Sequence, residues 1–306
     1  MAVDLGGTTI KAARLTPQGT AEETLRLPTP VERGQEAILN AVAETAAALT
    51  RPHTAAVGLC SPGLVDSASG TVRFAANLRL RDAPLAQQVA ECTRLPVILE
   101  HDVRAAALAE HRLGCGKGLD DLFVVVLGTG VAAGIISGGQ LIRGAEGMAG
   151  EFGHLTVHPD GEPCDCGQRG CVEAYAGARA IVRRYSRTGR HVPTAADITA
   201  RLETDPAAAH IWSEAADALG RALANATVLL DPEMIVLAGG MSVAGALLLH
   251  PVHSALEQNL AWRHAPPVQV SPLGAGAGLL GAALHAAETT GAFTLPPHTP
   301  ALSTSP

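Results

Sequence analysis

The sequence predicts an α/β fold in which β-strands alternate with α-helices. Three observations support it: short apolar runs alternate with longer helical patterns, two glycine turns follow strands in similar settings, and 47% of the residues are hydrophobic. A chain of 306 residues is long enough for one large domain or two smaller ones. Because aromatic residues make up only 3%, we expect a core built mainly from alanine, leucine and valine.

The first half of the chain opens with a predicted hairpin and continues as a β-α pattern. Its expected elements are a strand from Met1 to Asp4, a glycine turn, a strand from Ile10 to Leu15 ending in the turn Pro17-Gln18-Gly19, a helix from Gln35 to Leu49, strands from Ala55 to Leu59 and from Val97 to Leu99, and an alanine-rich helix from Arg104 to Leu113. The last strand therefore leads through Asp102 into a helix.

The second half repeats the opening arrangement, which suggests an ancient duplication. Its expected elements are a strand from Leu122 to Leu127, the turn Gly128-Thr129-Gly130, a strand from Ala133 to Ile136, a long helix from Ala207 to Leu230, a strand from Met234 to Leu237, a helix from Ala244 to Leu256, a strand from Val268 to Val270, and a helix ending near Glu288. Residues 290–306, rich in proline, serine and threonine, are expected to form a disordered tail.

Net charge and hydropathy exclude some classes of protein. The formal charge of −7 argues against a nucleic-acid-binding surface, because neutralising phosphates needs clustered lysine and arginine. The chain shows no signal-peptide pattern and no run of about 18 apolar residues. We therefore expect a cytoplasmic protein that contacts neither nucleic acid nor membrane.

Glycine turns after strands are the first candidates for chemistry. They comprise Asp4 with Gly6, Gly7, Thr8 and Thr9, then Gly128, Thr129 and Gly130, and finally Gly239 and Gly240. Such turns let backbone N–H groups approach a phosphate, although a single glycine pair is also common in ordinary hairpins. Two turns that bind phosphates and a third turn that lines an adenine pocket would together form a nucleotide-binding site.

The strongest local signal is a cluster of metal-binding residue types. It comprises His154, Cys164, Cys166 and Cys171. Three thiolates and one imidazole suit tetrahedral zinc, and because they fill all four positions the zinc would be structural. The alternative is three unrelated loop thiols. The remaining cysteines, Cys60, Cys92 and Cys115, are expected to be small buried or half-buried residues.

Three carboxylates are candidates for catalysis or binding. Asp102 lies between a strand and a helix, where it could act as a general base or simply as a helix N-cap. Glu151 and Glu173 flank the cysteine-rich segment and could be plain surface residues. These residues alone leave both alternatives open.

Taken together, these motifs resemble the ROK family of bacterial sugar kinases and related repressors, which includes ROK-type glucokinases. The resemblance runs from Met1 to about Glu288. Its most specific part is the sequence Glu151-Phe-Gly-His154 followed by Cys164-Asp-Cys166-Gly-Gln-Arg-Gly-Cys171 and Glu173. The glycine turns are shared more widely, among actin-like ATPases.

The resemblance implies a two-lobed actin-like ATPase fold, related to ribonuclease H, with a zinc-binding loop. Residues 1–105 and 276–289 would form the small lobe, residues 106–275 the large lobe with the nucleotide and zinc sites, and residues 290–306 the tail. The resemblance also implies a homodimer or a homotetramer.

The resemblance further implies an ATP-dependent sugar kinase, acting on a hexose or an aminosugar, with roles for individual residues. Asp102 would be the general base, Asp4 would position Mg²⁺, and the glycine turns would hold ATP. The sugar would be bound by Asn77, His101, Asp102, Glu151, His154 and Glu173. His154 would also be a zinc ligand through its other ring nitrogen.

Some positions depart from the family pattern. His101 and Arg104 stand where the family usually has asparagine, and Ala132 and Ala133 stand where it usually has glycine. We expect His101 and Arg104 to alter the sugar site, with Arg104 adding a positive charge there, and the alanines to crowd a phosphate. The alternative function is a catalytically weak sugar-sensing regulator. A repressor that contacts DNA directly is not expected, since the family's repressors carry a helix-turn-helix before the kinase-like part.

Overall fold

The structure is a computed structural model that describes residues 1–16 and 20–291. The predicted turn at 17–19 and the predicted tail from residue 292 onward lie outside the described residues. Within them, no helix is long and apolar enough to cross a membrane.

The strands follow the expected order, with several additions. They are β1 (Ala2–Leu5), β2 (Thr9–Leu15), β3 (Ala21–Pro28), β4 (Val57–Ser61), β5 (Leu64–Asp66), β6 (Thr71–Ala75), β7 (Leu80–Ala83), β8 (Val97–His101), β9 (Leu122–Leu127), β10 (Val131–Ser137), β11 (Gln140–Ile142), β12 (Met234–Ala238) and β13 (Val268–Val270).

The helices alternate with these strands. They are α1 (Gln35–Leu49), α2 (Leu85–Thr93), α3 (Asp102–Leu113), α4 (Glu173–Ala176), α5 (Ala178–Ser186), α6 (Ala195–Thr199), α7 (Pro206–Leu230), α8 (Ala246–Gln258) and α9 (Ala277–Thr289). Helix α3 begins two residues earlier than predicted, so Asp102 belongs to its first turn.

The chain divides into two compact units. The first contains Met1–Gly118, Leu141–Ala149 and the chain from Gly276, and the second contains Leu119–Gln140 and Gly150–Ala275. The predicted boundary at residue 105 falls inside helix α3, all of which belongs to the first unit. Segment 141–149, expected in the large lobe, also belongs to the first unit.

Each unit is organised around a sheet of the same strand order. In the first unit the order is β3-β2-β1-β4-β8, and the other sheet has the order β11-β10-β9-β12-β13. In both, an antiparallel hairpin is extended by parallel strands, as β1 pairs with β4 and β9 pairs with β12. A smaller sheet, β5-β6-β7, completes the first unit. The repeated topology is what a duplication would produce.

Aliphatic side chains fill the two cores, as the composition predicts. In the first unit α1 and α2 cover one face of the sheet with residues such as Ile38, Val42 and Val89. In the second unit α7 packs through Ile211, Leu219 and its neighbours. Burying such side chains contributes about 25 cal/mol per Å² of apolar surface.

Candidate active site and metal site

The first glycine turn connects β1 to β2 and is held by backbone hydrogen bonds. Gly6 N–H donates to the Thr9 carbonyl at 3.1 Å, and Thr29 N–H donates to the Thr8 carbonyl at 3.0 Å. A Cβ atom at Gly7 would lie 3.1 Å from Nδ2 of Asn77. Asn77, predicted to bind sugar, therefore lies against this turn.

Asp4 is half-buried beside the turn, on β1. Lys11 Nζ donates to Oδ2 of Asp4 at 3.1 Å, and the Cys60 thiol lies 3.5 Å from Oδ1. Burial raises the pKa of Asp4, the Lys11 charge opposes this, and the charge of Asp102 raises it further. The negative charge of Asp102 thus acts on Asp4. The glycine-turn motif does not include Lys11, although Lys11 lies opposite Asp4 in the β1–β2 hairpin.

Asp102 is the first residue of α3 and is 36% exposed. Its Oδ1 accepts a hydrogen bond from Val103 N–H at 2.8 Å, and Nδ1 of His101 lies 3.4 Å from the same oxygen. The N-cap is His101, so the alternative role of Asp102 as N-cap does not apply. Among the described residues, Oδ2 of Asp102 has no hydrogen-bond or ion-pair partner. It is therefore free to accept a proton.

Arg104 lies differently from what the sequence suggested. Its side chain is 3% exposed, and its Nε donates to Oε1 of the buried Glu100 at 2.7 Å. The expectation of an additional positive charge in the sugar site is therefore wrong, because the guanidinium is neutralised inside the first unit.

The second glycine turn connects β9 to β10. Gly128 N–H donates to the Gly130 carbonyl, and Ala178 N–H at the start of α5 donates to the Gly128 carbonyl, both at 3.0 Å. Oε2 of Glu173 accepts a hydrogen bond from Val131 N–H at 2.9 Å. A Cβ atom at Gly130 would lie 2.3 Å from the same oxygen, so a larger residue there would displace the Glu173 carboxylate.

Of the two alanines that follow this turn, Ala133 does not crowd it. Ala133 is 2% exposed and belongs to the core cluster of the second unit. Ala132 and Ala133 are paired within the hairpin, opposite Val126 and Val125. The expectation that both alanines would obstruct a phosphate therefore fails for Ala133, whose methyl group is in the core.

Glu151 and His154 lie together on a short 3₁₀ turn, Phe152–His154. Nε2 of His154 is 3.9 Å from Oε2 of Glu151, and both side chains are accessible to solvent. Phe152 between them is buried and packs edge-on against Phe123, with ring centroids 5.2 Å apart. The buried Phe152 side chain thus fixes the turn on which the polar side chains of Glu151 and His154 lie side by side.

The other nitrogen of His154 points to the cysteine cluster. Nδ1 of His154 is 3.8 Å from Sγ of Cys164, and Sγ of Cys166 is 3.8 Å from Sγ of Cys171. All four donor atoms lie within 4.8 Å of one another. A zinc–sulfur bond of about 2.3 Å implies about 3.8 Å between ligand atoms of a tetrahedron. The donor set therefore fits a tetrahedral ion such as zinc.

Electrostatics also favour a cation among these thiols. Burial, together with the neighbouring thiols, raises the pKa of Cys171 to about 12, and burial raises the pKa of Cys164. Three thiolates this close repel one another unless a cation neutralises them. Of the other cysteines, Cys60 is buried and Cys115 half-buried as expected, whereas Cys92 is exposed.

An apolar cavity of about 360 Å³ adjoins the second glycine turn within the second unit. Gly128 and Thr129 form one end, and Trp212, Met241 and Val243 contribute apolar surface. Gly240 lines this cavity, whereas Gly239 is not among its lining residues. Trp212 on α7 was not predicted to line a cavity, because no local motif marks a wall that comes from a distant helix.

Comparisons with known proteins identify the family of this chain. Residues 1–289 match the ROK family. A glucokinase of Streptomyces coelicolor is 36% identical over 303 residues, covering 92% of this chain and 95% of that protein. An N-acetylmannosamine kinase of Yersinia pseudotuberculosis is 34% identical over 287 residues, covering 94% of this chain and 97% of that protein.

A solved structure gives the same result for the fold. A ROK family glucokinase from Streptomyces griseus, in complex with glucose and AMPPNP, has a TM-score of 0.81 at 37% identity, covering 94% of this chain and 98% of that one. The predicted actin-like ATPase fold is thus confirmed. Within that fold class, the chain belongs to the ROK family.

Proposed function

We propose that this protein is an ATP-dependent sugar kinase that phosphorylates a hydroxyl group of a hexose or an aminosugar. The observation that carries the proposal is the Asp102 carboxylate, partly exposed at the start of α3 with one oxygen engaged and the other unpartnered among the described residues. The names of the relatives, glucokinase and N-acetylmannosamine kinase, support both sugar classes.

In the proposed reaction, Asp102 accepts the proton of the attacking sugar hydroxyl. The hydroxyl oxygen forms a bond to the γ-phosphorus, and the bond from that phosphorus to the β-phosphate oxygen breaks, which releases ADP. Backbone N–H groups of the turns at Gly6 to Thr9 and Gly128 to Gly130 bind the phosphates. Asn77, His101, Glu151, His154 and Glu173 orient the sugar.

The proposed function involves two metal ions, Mg²⁺ and zinc. Asp4 would hold Mg²⁺, which neutralises phosphate charge, and its position near Asp102 and the first glycine turn fits that role. His154, Cys164, Cys166 and Cys171 would hold a structural zinc ion. His154 would then connect the two sites, with one ring nitrogen toward the metal and the other beside Glu151.

ATP is the proposed donor because the cavity beside Gly128 and Thr129 is largely apolar. Trp212, Met241 and Val243 offer surface that suits a purine base, which inorganic polyphosphate lacks. The cytoplasmic location, the homodimer or homotetramer, and the absence of nucleic-acid and membrane partners stay predictions.

A panel of sugars with ATP or polyphosphate tests the proposal. We expect sugar-dependent ADP formation with glucose, mannose, N-acetylglucosamine or N-acetylmannosamine, and little transfer from polyphosphate. Sugar binding without turnover by any donor would instead support a sugar-sensing regulator. The absence of both binding and turnover would contradict each of these functions.

A further inference from the structure

A buried charge network lies behind the start of α3, next to Asp102. Its centre is the carboxylate of Glu100, which is completely buried. Oε1 of Glu100 accepts hydrogen bonds from His101 N–H at 2.8 Å and from Ser67 Oγ at 3.0 Å. A buried carboxylate is stable only when cations and donors compensate for its lost hydration, so the partners of Glu100 are critical.

Two arginines from different segments neutralise this carboxylate. Arg104 Nε donates to Oε1 at 2.7 Å, and Arg143 Nε donates to Oε2 at 2.8 Å. Burial by itself would raise the pKa of Glu100, but the two guanidiniums outweigh burial and hold it below the ordinary value. The carboxylate therefore stays charged and orients both arginines.

Arg104 extends the network to the loop that precedes the Glu151 motif. Its Nη1 donates to the carbonyl of Gly147, and its Nη2 donates to the carbonyl of Val65 at 3.4 Å. One guanidinium thus joins Glu100, β5 and segment 141–149. A lysine would keep the charge, but its single ammonium group could not serve three partners in these directions.

We propose that Arg104 is a positioning residue for phosphoryl transfer: its guanidinium ties the helix turn that carries Asp102 to the loop at Gly147. Gly147 precedes Glu151 by four residues in the sequence, so the network joins the helix turn that bears the proposed base to the chain segment that leads into a proposed sugar ligand. This inference rests on the proposed function. The sequence predicts that Arg104 acts on the sugar directly. In this proposal Arg104 acts instead by holding the backbone of two segments in place.

Arg104→Lys tests this role, with Arg112→Lys as the matched control. Arg112 lies on the same helix and forms a comparable ion pair, to Glu288 at 2.9 Å, but near the other end. For Arg104→Lys we expect kcat to fall about tenfold or more and the sugar KM to rise severalfold, with the ATP KM within about twofold. The control should change each constant by less than about twofold.

Hydrogen exchange provides a readout that does not depend on activity. In Arg104→Lys, amides of residues 144–149 and of the first turn of α3 should exchange faster, whereas Arg112→Lys should leave them unchanged. If Arg104→Lys does not fold, Glu100→Gln combined with Arg104→Met removes both charges and undergoes the same two measurements.

The outcomes separate this inference from the proposed function. A folded Arg104 variant with wild-type kinetic constants and wild-type exchange at both segments would overturn the positioning role. Unchanged exchange with altered kinetics would also overturn it, because the effect would not pass through these segments. If the wild-type protein phosphorylates no sugar, the proposed function fails, and the exchange comparison alone decides whether Arg104 holds the two segments.

Discussion

Two charged residues in the first turn of α3 differ in chemistry because they face different surroundings. The Asp102 side chain is 36% exposed, whereas that of Arg104 is 3% exposed. An accessible carboxylate can exchange a proton with a substrate, while a buried guanidinium paired with a carboxylate stays charged and holds its partners in place. Residue type alone does not distinguish these roles.

Replacing Asp102 by asparagine should reduce phosphoryl transfer much more than binding. The amide oxygen can still accept the hydrogen bond from Val103 N–H, but the amide cannot take up a proton. We expect kcat to fall at least about 100-fold. Steady-state kinetics combined with calorimetric binding of ATP and sugar measure both effects. A variant with nearly wild-type kcat would exclude Asp102 as the base.

His101→Asn should improve kcat/KM for glucose. Nδ1 of His101 is 3.4 Å from Oδ1 of Asp102. The two ring nitrogens of an imidazole lie at other positions than the oxygen and nitrogen of the amide that the family pattern has here, so we expect asparagine to offer sugar hydroxyls better-placed hydrogen bonds.

The measurement for His101 is kcat/KM for glucose in the two proteins. The expected gain is about threefold to tenfold, the size of one altered hydrogen bond. Equal values would show that His101 does not influence the choice of sugar.

Among the structural elements, the cysteine-rich loop is held by turn-type hydrogen bonds rather than by a strand ladder or a helix. Its backbone is closed by two isolated bridges, Thr156 with Cys171 and Pro163 with Arg169. Arg183 on α5 adds hydrogen bonds to Asp165 and to the Pro163 carbonyl, both at 3.3 Å. These turns close the loop locally, and the proposed metal ion would add a cross-link among its four ligands.

Cys166→Ser should therefore release the metal and lower stability, while Cys92→Ser should do neither. Both cysteines are exposed, but only Cys166 belongs to the four-residue cluster. We expect about one zinc ion per wild-type chain, and a loss of about 2 kcal/mol or more in the free energy of unfolding for Cys166→Ser. Elemental analysis and denaturant unfolding measure these quantities. Wild-type protein without zinc, or a fully stable Cys166 variant, would contradict the proposed metal site.

At the scale of the whole molecule, the first unit depends on helix α9, which follows the second unit along the chain. Helix α9 packs on α3 and β4, which belong to the first 118 residues. Cβ atoms at Gly58 and Gly281 would lie 2.0 Å and 1.7 Å from the carbonyl oxygens of Ala282 and Ala105. Close backbone packing thus joins α9 to both elements, and the unit is complete only after nearly the entire chain has been synthesised.

Gly281→Ala should destabilise the first unit, whereas Gly276→Ala should be tolerated. Gly276 lies just before α9, and an added Cβ atom there would meet nothing within 4 Å. Overpacking at Gly281 is expected to cost about 1–3 kcal/mol or more, because backbone atoms must move. Thermal unfolding of both variants measures this difference. Equal melting temperatures would show that α9 can shift without loss of stability.

Local patterns in the sequence predict the regular elements well. Helix α1 and strands β9 and β13 have the predicted bounds, because their apolar spacing is produced by one buried face or by complete burial. Strand β3 and the sheet β5-β6-β7 were not predicted. Most residues of β3 are exposed, so the strand has no buried face to mark it, and its existence depends on pairing with β2.

Some features of the candidate site can likewise be predicted from the sequence, and others depend on tertiary packing. The sequence by itself determined the family, the glycine turns, the cysteine and histidine set and Asp102, because each lies within a short contiguous motif. Only the tertiary structure decided that Arg104 is buried against Glu100, and that Arg143 and Gly147 join the same network. Arg104 and Glu100 are four residues apart, but Gly147 and Arg143 are each 43 residues from their partner in the network, and such contacts depend on packing directions that no local pattern specifies.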